Sequence, residues 1–335
     1  MLLNRLKCLL LIEILEEMTD EDNPMSAAEI CEELGRRGAK AERKAIYRDI
    51  AALTHYGYDI IFTRMPKPGY FIAGRTFELA EVKMLIDAVQ ATRFITPVKT
   101  RALIEKLGSL TSKHQANAID SYVYIKDRVK PINEEIYYNI DEIHKAILAG
   151  KKVRLLYTRR IINGVPQITN AVNSFIVSPY AMIWSDEYYY LVGNCQKYDN
   201  LIHLRMDRMR GVKLIDEDTR PAKEVCEYED KFNVADYISK TFNMAAGRQQ
   251  RIELRCSNWL IEQVIDRFGE DIPIRASGVK HFVVSIEALN SKGLISWIMQ
   301  FGQDMEVLLP LELRNDVRKE VRKMCYLYKI NIGKY

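Results

Sequence analysis

The sequence predicts an α+β protein of several domains, and three observations carry that prediction. The chain has 335 residues, more than one hydrophobic core ordinarily serves. Near residue 150 the hydrophobic spacing changes from the three-to-four period of helices to the alternation of strands. From about residue 249 single strands alternate with helices.

Composition narrows the class. With 48% hydrophobic and 28% charged residues, the chain is neither disordered nor fibrous. Six cysteines (Cys8, Cys31, Cys195, Cys226, Cys256, Cys325) are scattered without a CxxC pair. That spacing argues against a zinc site or a disulfide framework and fits a reducing cytoplasm. No run approaches the roughly 18 apolar residues that cross a bilayer, so no membrane partner is expected. Cys8–Ile12 follow Arg5 and Lys7, but Glu13, Glu16 and Glu17 come directly after, which is an amphipathic helix and not a leader. His55, His114, His144, His203 and His281 lie far apart, and HExxH, GxSxG, Walker and GxGxxG motifs are absent. An enzyme is not expected; no catalytic residue, metal or cofactor is assigned.

The first helix is expected over 2–18, from Leu3, Leu6, Leu10, Ile14 and Leu15. Asp20-Glu21-Asp22-Asn23-Pro24 breaks it. Ser26-Ala27-Ala28-Glu29 is a capping box that starts a short second helix, with Ile30 and Leu34 inward and Gly35 or Gly38 as its end. A third helix is expected from about Ala41 to Tyr56, stopped by Gly57. A β-hairpin follows over 58–72, its turn rich in Pro66, Pro68 and Gly69. Residues 77–112 read as two helices separated at Pro97, and 113–135 as a linker or short strand. A helix over 136–149 ends at Gly150. Strands are expected near 153–158, 172–177, 180–184, 188–193 and 201–206, and then 221–245 as a connector. Beyond 249 the order is strand, helix (258–268), strand (281–288), helix (291–301), strand (305–309) and a last helix (312–328).

Three helices followed by a hairpin is the order of a winged helix-turn-helix. In the third helix Ile46, Ile50 and Leu53 make a buried stripe, while Arg43 with Tyr47 and Lys44 with Arg48 form i, i+4 pairs on another face. Such a helix fits the major groove, where arginine and lysine reach guanine acceptors or phosphates. Residues 35–75 hold nine basic against three acidic side chains, a net of +6, whereas residues 1–34 carry a net of −7; the whole-chain value of +4 hides this polarity. Lys40, Arg43, Lys44, Tyr47, Arg48 and the hairpin residues Arg64 and Lys67 are therefore the candidate DNA contacts. The bland alternative is a basic helix face that is merely solvated. Asp49 is expected to pair with a nearby arginine, since phosphate repels carboxylates.

Ala41-Glu42-Arg43-Lys44-Ala45-Ile46-Tyr47-Arg48-Asp49-Ile50, followed by Leu53 and Gly57-Tyr58, resembles the recognition helix of WYL-domain and DeoR-type regulators. Those usually read Arg-Thr-Ile-x-Arg-Asp-Ile; here Lys44-Ala45 stands in place of Arg-Thr. Ser178-Pro179-Tyr180, Glu187-Tyr188-Tyr189-Tyr190-Leu191-Val192-Gly193 and His203-Leu204-Arg205-Met206-Asp207-Arg208-Met209 resemble the WYL core in order and spacing, with Tyr189-Tyr190-Leu191 at the eponymous Trp-Tyr-Leu. Gly293–Gly302, with Val307-Leu308-Leu309-Pro310 after it, resembles the extension (WCX) that commonly follows WYL domains. The resemblance implies a winged helix-turn-helix DNA-binding domain at 1–76 and a helical linker at 77–135. It implies a small SH3/Sm-like β-barrel, the WYL ligand-sensing domain, at 136–220, and an α+β C-terminal extension at 245–335.

In the strand at 201–207, Ile202, Leu204 and Met206 are expected to face a core, with His203, Arg205 and Asp207 on the other side. An arginine and a histidine beside tyrosines suit an anion carrying a planar ring. Against this, Arg205 and Asp207 can simply pair, and tyrosines are ordinary strand residues. The resemblance implies a pocket for a nucleic-acid-derived or other anionic effector, with Tyr157, Ser178, Tyr180, Tyr189, Tyr190, His203, Arg205 and Arg208 as its candidate residues. The expected function is transcription regulation, with repression ahead of activation, by a homodimer on an inverted-repeat operator in double-stranded DNA. The rival is an accessory protein that holds single-stranded DNA or RNA through the WYL domain.

Overall fold

The computed structural model describes residues 6–120, 130–162, 168–228 and 232–330. The chain divides into two compact units, Met1–Glu134 and Glu135–Tyr335. No helix among the described residues is long and apolar enough to cross a membrane.

The first unit opens with α1 (Lys7–Met18), α2 (Ala27–Arg36), α3 (Arg43–Tyr56) and the antiparallel hairpin β1 (Ile60–Thr63) and β2 (Gly69–Ile72). The capping box forms as expected: the Ser26 amide donates to Glu29 Oε2 (2.7 Å) and the Glu29 amide donates to Ser26 Oγ (3.3 Å). α3 stops at Gly57, whose φ of +122° is accessible to glycine and costly to other residues. Leu11, Ile14 and Leu15 of α1 share one core with Ile30 and Leu34 of α2, Ile46, Ile50 and Leu53 of α3, and Ile60 and Ile72 of the hairpin. The hairpin is pinned to the start of α2, where the Met25 amide donates to the Tyr70 carbonyl (2.9 Å) and the Tyr70 amide to that of Met25 (2.7 Å). A Cβ on Gly69 would lie 2.8 Å from the Met25 backbone, so this close approach requires glycine.

Next come α4 (Leu79–Ala91), α5 (Pro97–Gly108) and α6 (Lys113–Asp120), around a small core of Val82, Ile86, Ile104 and Ile119. The linker or short strand expected from residue 113 is instead a helix up to Asp120. Its start is fixed by Ser112, which accepts from the Gln115 amide (3.1 Å) and donates to the buried carboxylate of Asp20. The rest of that expectation, over 121–129, lies outside the described residues.

The second unit starts with α7 (Ile136–Ala149), which ends at Gly150. It packs on a five-stranded antiparallel sheet of β3 (Lys151–Ile162), β4 (Ile168–Ser185), β5 (Tyr188–Asn194), β6 (Ile202–Arg205) and β7 (Met209–Asp218), in the order β6-β5-β4-β3-β7. The two strands expected at 172–177 and 180–184 are one strand of 18 residues, β4. Its first half pairs with β3 and its second with β5, and the register shifts between Pro179 and Ala181, where proline has no amide to give. β7 was not expected at all.

A closed SH3/Sm-like barrel is not what the ladders make: among the described residues β6 and β7 remain edges. The sheet is nevertheless strongly curled. Laid flat, its two edges would stand ~19 Å apart, yet Arg205 at the end of β6 and Met209 at the start of β7 are four residues apart, a step that reaches ~14 Å at most.

Residues 221–245 are not a loose connector. They contain α8 (Val234–Lys240), and Tyr237 and Met244 are packed against Ala181, Ile183, Val192 and Leu201 on one side and Leu289 on the other. The C-terminal sheet has the order β11-β8-β10-β9, from β8 (Arg248–Ser257), β9 (Ile274–Ala276), β10 (His281–Asn290) and β11 (Met305–Leu309). α9 (Ile261–Phe268), α10 (Lys292–Met299) and α11 (Leu311–Leu327) supply Val264, Leu294, Ile298 and Leu313 to its core.

Candidate nucleic-acid interface and ligand cleft

Burial of Ile46, Ile50 and Leu53 turns the opposite face of α3 outward, and Arg43, Lys44, Tyr47 and Arg48 are all exposed there. Tyr47 is 50% exposed and leans on Tyr70 of the hairpin (6.3 Å between ring centres), which in turn meets Phe62 at 5.1 Å. The helix and hairpin therefore present one continuous basic and aromatic surface. Asp49 sits beside this face, and its partner is Lys7 of α1, at 2.7 Å, where an arginine had been expected.

The nine basic residues of 35–75 separate into two groups. Arg36 is held by Glu32 and Glu33 (2.6 and 3.2 Å), and Arg37 by Glu17 and Glu33 (2.6 and 3.2 Å). Arg75 donates to the carbonyls of Glu16 and Thr19, and Lys67 pairs with Glu29 at 2.7 Å. Lys40, Arg43, Lys44, Arg48 and Arg64 are exposed, with no carboxylate at ion-pair distance among the described residues. Among the described residues those five carry no internal ion pair, while Lys67 is shared with the body of the unit.

The candidate ligand residues of the second unit do not converge on one point. Tyr157 is 4% exposed, and its hydroxyl accepts from the Arg205 amide (3.2 Å). Ser178 Oγ accepts from the Arg220 amide (3.0 Å), and the Tyr180 hydroxyl donates to the Arg220 carbonyl (2.8 Å). Burial pushes the Tyr180 phenol up to about 12. These three side chains hold the backbone of neighbouring segments. Burial also raises the phenols of Tyr189 and Tyr190, the latter lying opposite Arg205 across β5 and β6.

Arg205 forms a fork with Asp207, Nε and Nη2 donating to the two carboxylate oxygens at 3.0 and 2.7 Å. Its guanidinium also lies 3.3 Å from the ring centre of Tyr188, a residue that sequence reading left out of the site. The expected alternation ends at Arg205, because Met206–Arg208 form a turn of 3₁₀ helix. Arg208 is exposed at its end. His203 is enclosed against Tyr237, Nε2 lying 2.7 Å from the phenol oxygen, and burial lowers its pKa to about 4. It is neutral at physiological pH and brings no positive charge to an anion.

His203 does, however, line a cleft of roughly 650 Å³ at the end of the sheet, together with Arg159, Phe175, Lys197, Tyr198 and Asn200. Arg159 stands 5.7 Å from the Tyr157 ring centre and Lys197 5.8 Å from that of Tyr198. The cations are exposed, and the aromatic surfaces lie beside them. Sequence reading missed Arg159 because the first strand was ended at 158. The alternation that selects Val153, Leu155 and Tyr157 continues to Arg159 on the same face. Among the described residues no group of three His, Cys, Asp or Glu gathers as a metal site.

Comparison with known families assigns both parts of this unit. Residues 138–214 match the WYL domain and residues 248–325 match the WCX domain. The chain contains a WYL domain followed by a WCX domain. The WYL match spans α7 and the curled sheet into β7, and the WCX match runs from the first residue of β8 into α11. A relative in Bacillus subtilis (strain 168), the uncharacterized HTH-type transcriptional regulator YobV, is 20% identical over 308 residues, covering 85% of this chain and 90% of that one. Among solved structures, proteasome accessory factor B/C (PafBC) of Arthrobacter aurescens is matched over 96% of this chain at 14% identity and a TM-score of 0.30. A CRISPR Cas-related protein is matched over 68% at 16% identity and a TM-score of 0.27. The chain spans about half the length of the PafBC chain (48%) and 62% of the other.

Within the WYL domain, Leu191 of the Tyr189-Tyr190-Leu191 triplet is fully buried, and Tyr190 packs on the core shared with β10 of the WCX domain. Tyr190 of the triplet is thus part of the packing between the two domains. Open cations of the WYL domain lie elsewhere, Arg159, Lys197 and Arg208 among them.

Proposed function

We propose that this WYL–WCX protein is a DNA-binding transcription regulator, with residues 1–76 of the first unit as a winged helix-turn-helix and the WYL domain as a sensor of an anionic ligand. One observation carries the reading. Carboxylates of the unit itself neutralise Arg36, Arg37 and Lys67, whereas Arg43, Lys44 and Arg48 on α3 and Arg64 on the hairpin are left open on one surface. A surface so arranged attracts phosphate without a competing internal partner. The B. subtilis relative, an HTH-type transcriptional regulator by name, supports it.

A homodimer on an inverted repeat is the form in which paired recognition helices read half-sites one turn apart, and repression is the expected output. Sequence selection on random duplex DNA at near-physiological salt tests the reading, and an enriched inverted repeat is the expected result. Absence of enrichment, with binding that collapses in salt, would overturn it. It would favour the second reading, a holder of single strands, which the cationic and aromatic cleft of Arg159, Lys197, Phe175 and Tyr198 also suits.

A further inference from the structure

We infer that the first unit contains a second ligand site, for an amphipathic amine. A cleft of roughly 580 Å³ lies between α1 and the α4–α6 helices, within the range of about 300–1,000 Å³ typical of small-molecule sites. Ile86, Ile104 and Ile119 form its apolar floor, and Gly108 beside Ala116 keeps that floor free of bulky side chains.

The charges around the floor decide which ligand fits. Glu17 takes both Arg37 and Lys113, each at 2.6 Å, so that side of the cleft is internally neutralised. Arg101 and Glu105, one turn apart on α5, are both exposed and bring opposite charges to the same wall. Glu13 and Glu16 on α1 remain. Glu13 is 3.8 Å from an Arg37 that already serves Glu17 and Glu33. Both carboxylates are exposed at the rim, one turn apart on one helix face.

An apolar floor below two open carboxylates matches a hydrophobic body ending in an ammonium, and the lining as a whole holds four carboxylates (Glu13, Glu16, Glu17, Glu105) against three cations (Arg37, Arg101, Lys113). The site differs in charge from the anion cleft of the WYL domain and lies in the other unit. α1 carries Leu11, Ile14 and Leu15 of the helix and hairpin core, so a ligand spanning α1 and α5 acts on the element that α3 is built against.

The test uses the full-length chain and three probes of one shape: 4-phenylbutylamine, 4-phenylbutanol and 4-phenylbutyrate, with binding followed by titration calorimetry and saturation-transfer NMR. No DNA is present, so the outcome is independent of the DNA reading. The amine is expected to bind at least fivefold more tightly than the alcohol, and the butyrate not to bind. The Glu13→Gln/Glu16→Gln variant should bind the amine no better than the alcohol. A second variant, Ser109→Trp, places a bulky side chain at an exposed wall position and should abolish binding of both. Circular dichroism checks that each variant is folded. Absence of amine binding, equal affinity for amine and butyrate, or unchanged amine binding in both variants would overturn the proposal.

Discussion

Lys67, at the tip of the hairpin, reaches 2.7 Å from Glu29, the same carboxylate that closes the capping box of α2. The contact holds the Glu29 carboxyl below its ordinary range, with Lys67 the largest cause. One glutamate thus fixes both the start of a helix and the reach of the hairpin. Arg64, at the other side of the tip, has no such tie.

The first prediction separates these two cations. Arg64→Ala should weaken duplex binding more than Lys67→Ala, because Lys67 already spends its charge on Glu29. The Lys67–Glu29 pair is about half exposed, so its loss should cost less than ~1 kcal/mol of stability. Fluorescence anisotropy with a labelled duplex, beside urea unfolding, measures both. Equal losses of affinity would count against the distinction.

The second concerns α3. Lys44→Ala with Arg48→Ala should weaken binding across sequences and reduce the slope of log affinity against log salt by about 2, as two phosphate contacts disappear. A slope unchanged between low and physiological salt would remove this face of α3 from the backbone.

The third concerns the Arg205 fork. An anion that binds at Arg205 must displace Asp207. Asp207→Asn should therefore raise the affinity for a short single-stranded oligonucleotide, and Arg205→Ala should lower it several-fold. If Arg159→Ala and Lys197→Ala alone lower it, the ligand is held by the cleft and not by the fork.

The fourth is a pH dependence. His203 is held neutral, with its pKa lowered from 6.5 to about 4. The folded state favours the uncharged ring, so this contribution is fully present above pH 6.5 and is lost as pH falls toward 4. The loss accumulated by the low end is on the order of 2–3 kcal/mol. Urea midpoints measured from pH 7.5 to 4 should fall less steeply in His203→Gln than in the natural chain.

What could be read in advance was what local chemistry specifies. Ser26 and Glu29, Gly57 and the stripe of Ile46, Ile50 and Leu53 each announce their structure within a few residues, and the three helices and hairpin form close to where expected, residues 2–5 of the first helix lying outside the described residues. Ser112-Lys113-His114-Gln115 carried the same kind of signal, a hydroxyl followed three residues later by glutamine, and it was passed over. β7 was hidden because Gly211 adopts a φ of +57° and the ladder to β3 shifts register, which breaks the alternation.

The ligand residues were harder for a different reason. A tyrosine that props a backbone, as Tyr157 and Tyr180 do, has the same sequence context as one that faces a ligand. The partner that tells them apart, such as Arg220, lies about 40 or more residues away.

The core in which Tyr237 and Met244 join Ala181, Ile183 and Val192 to Leu289 has a bearing on how this protein can be taken apart. A fragment ending at Leu214, where the WYL match stops, would bare that apolar surface to water and should be prone to self-association. The two domains are distinct as families, but a shared core of this kind should give them a single unfolding transition. Heat should melt them together, and a core substitution in β10 should lower the melting temperature of the WYL sheet as well.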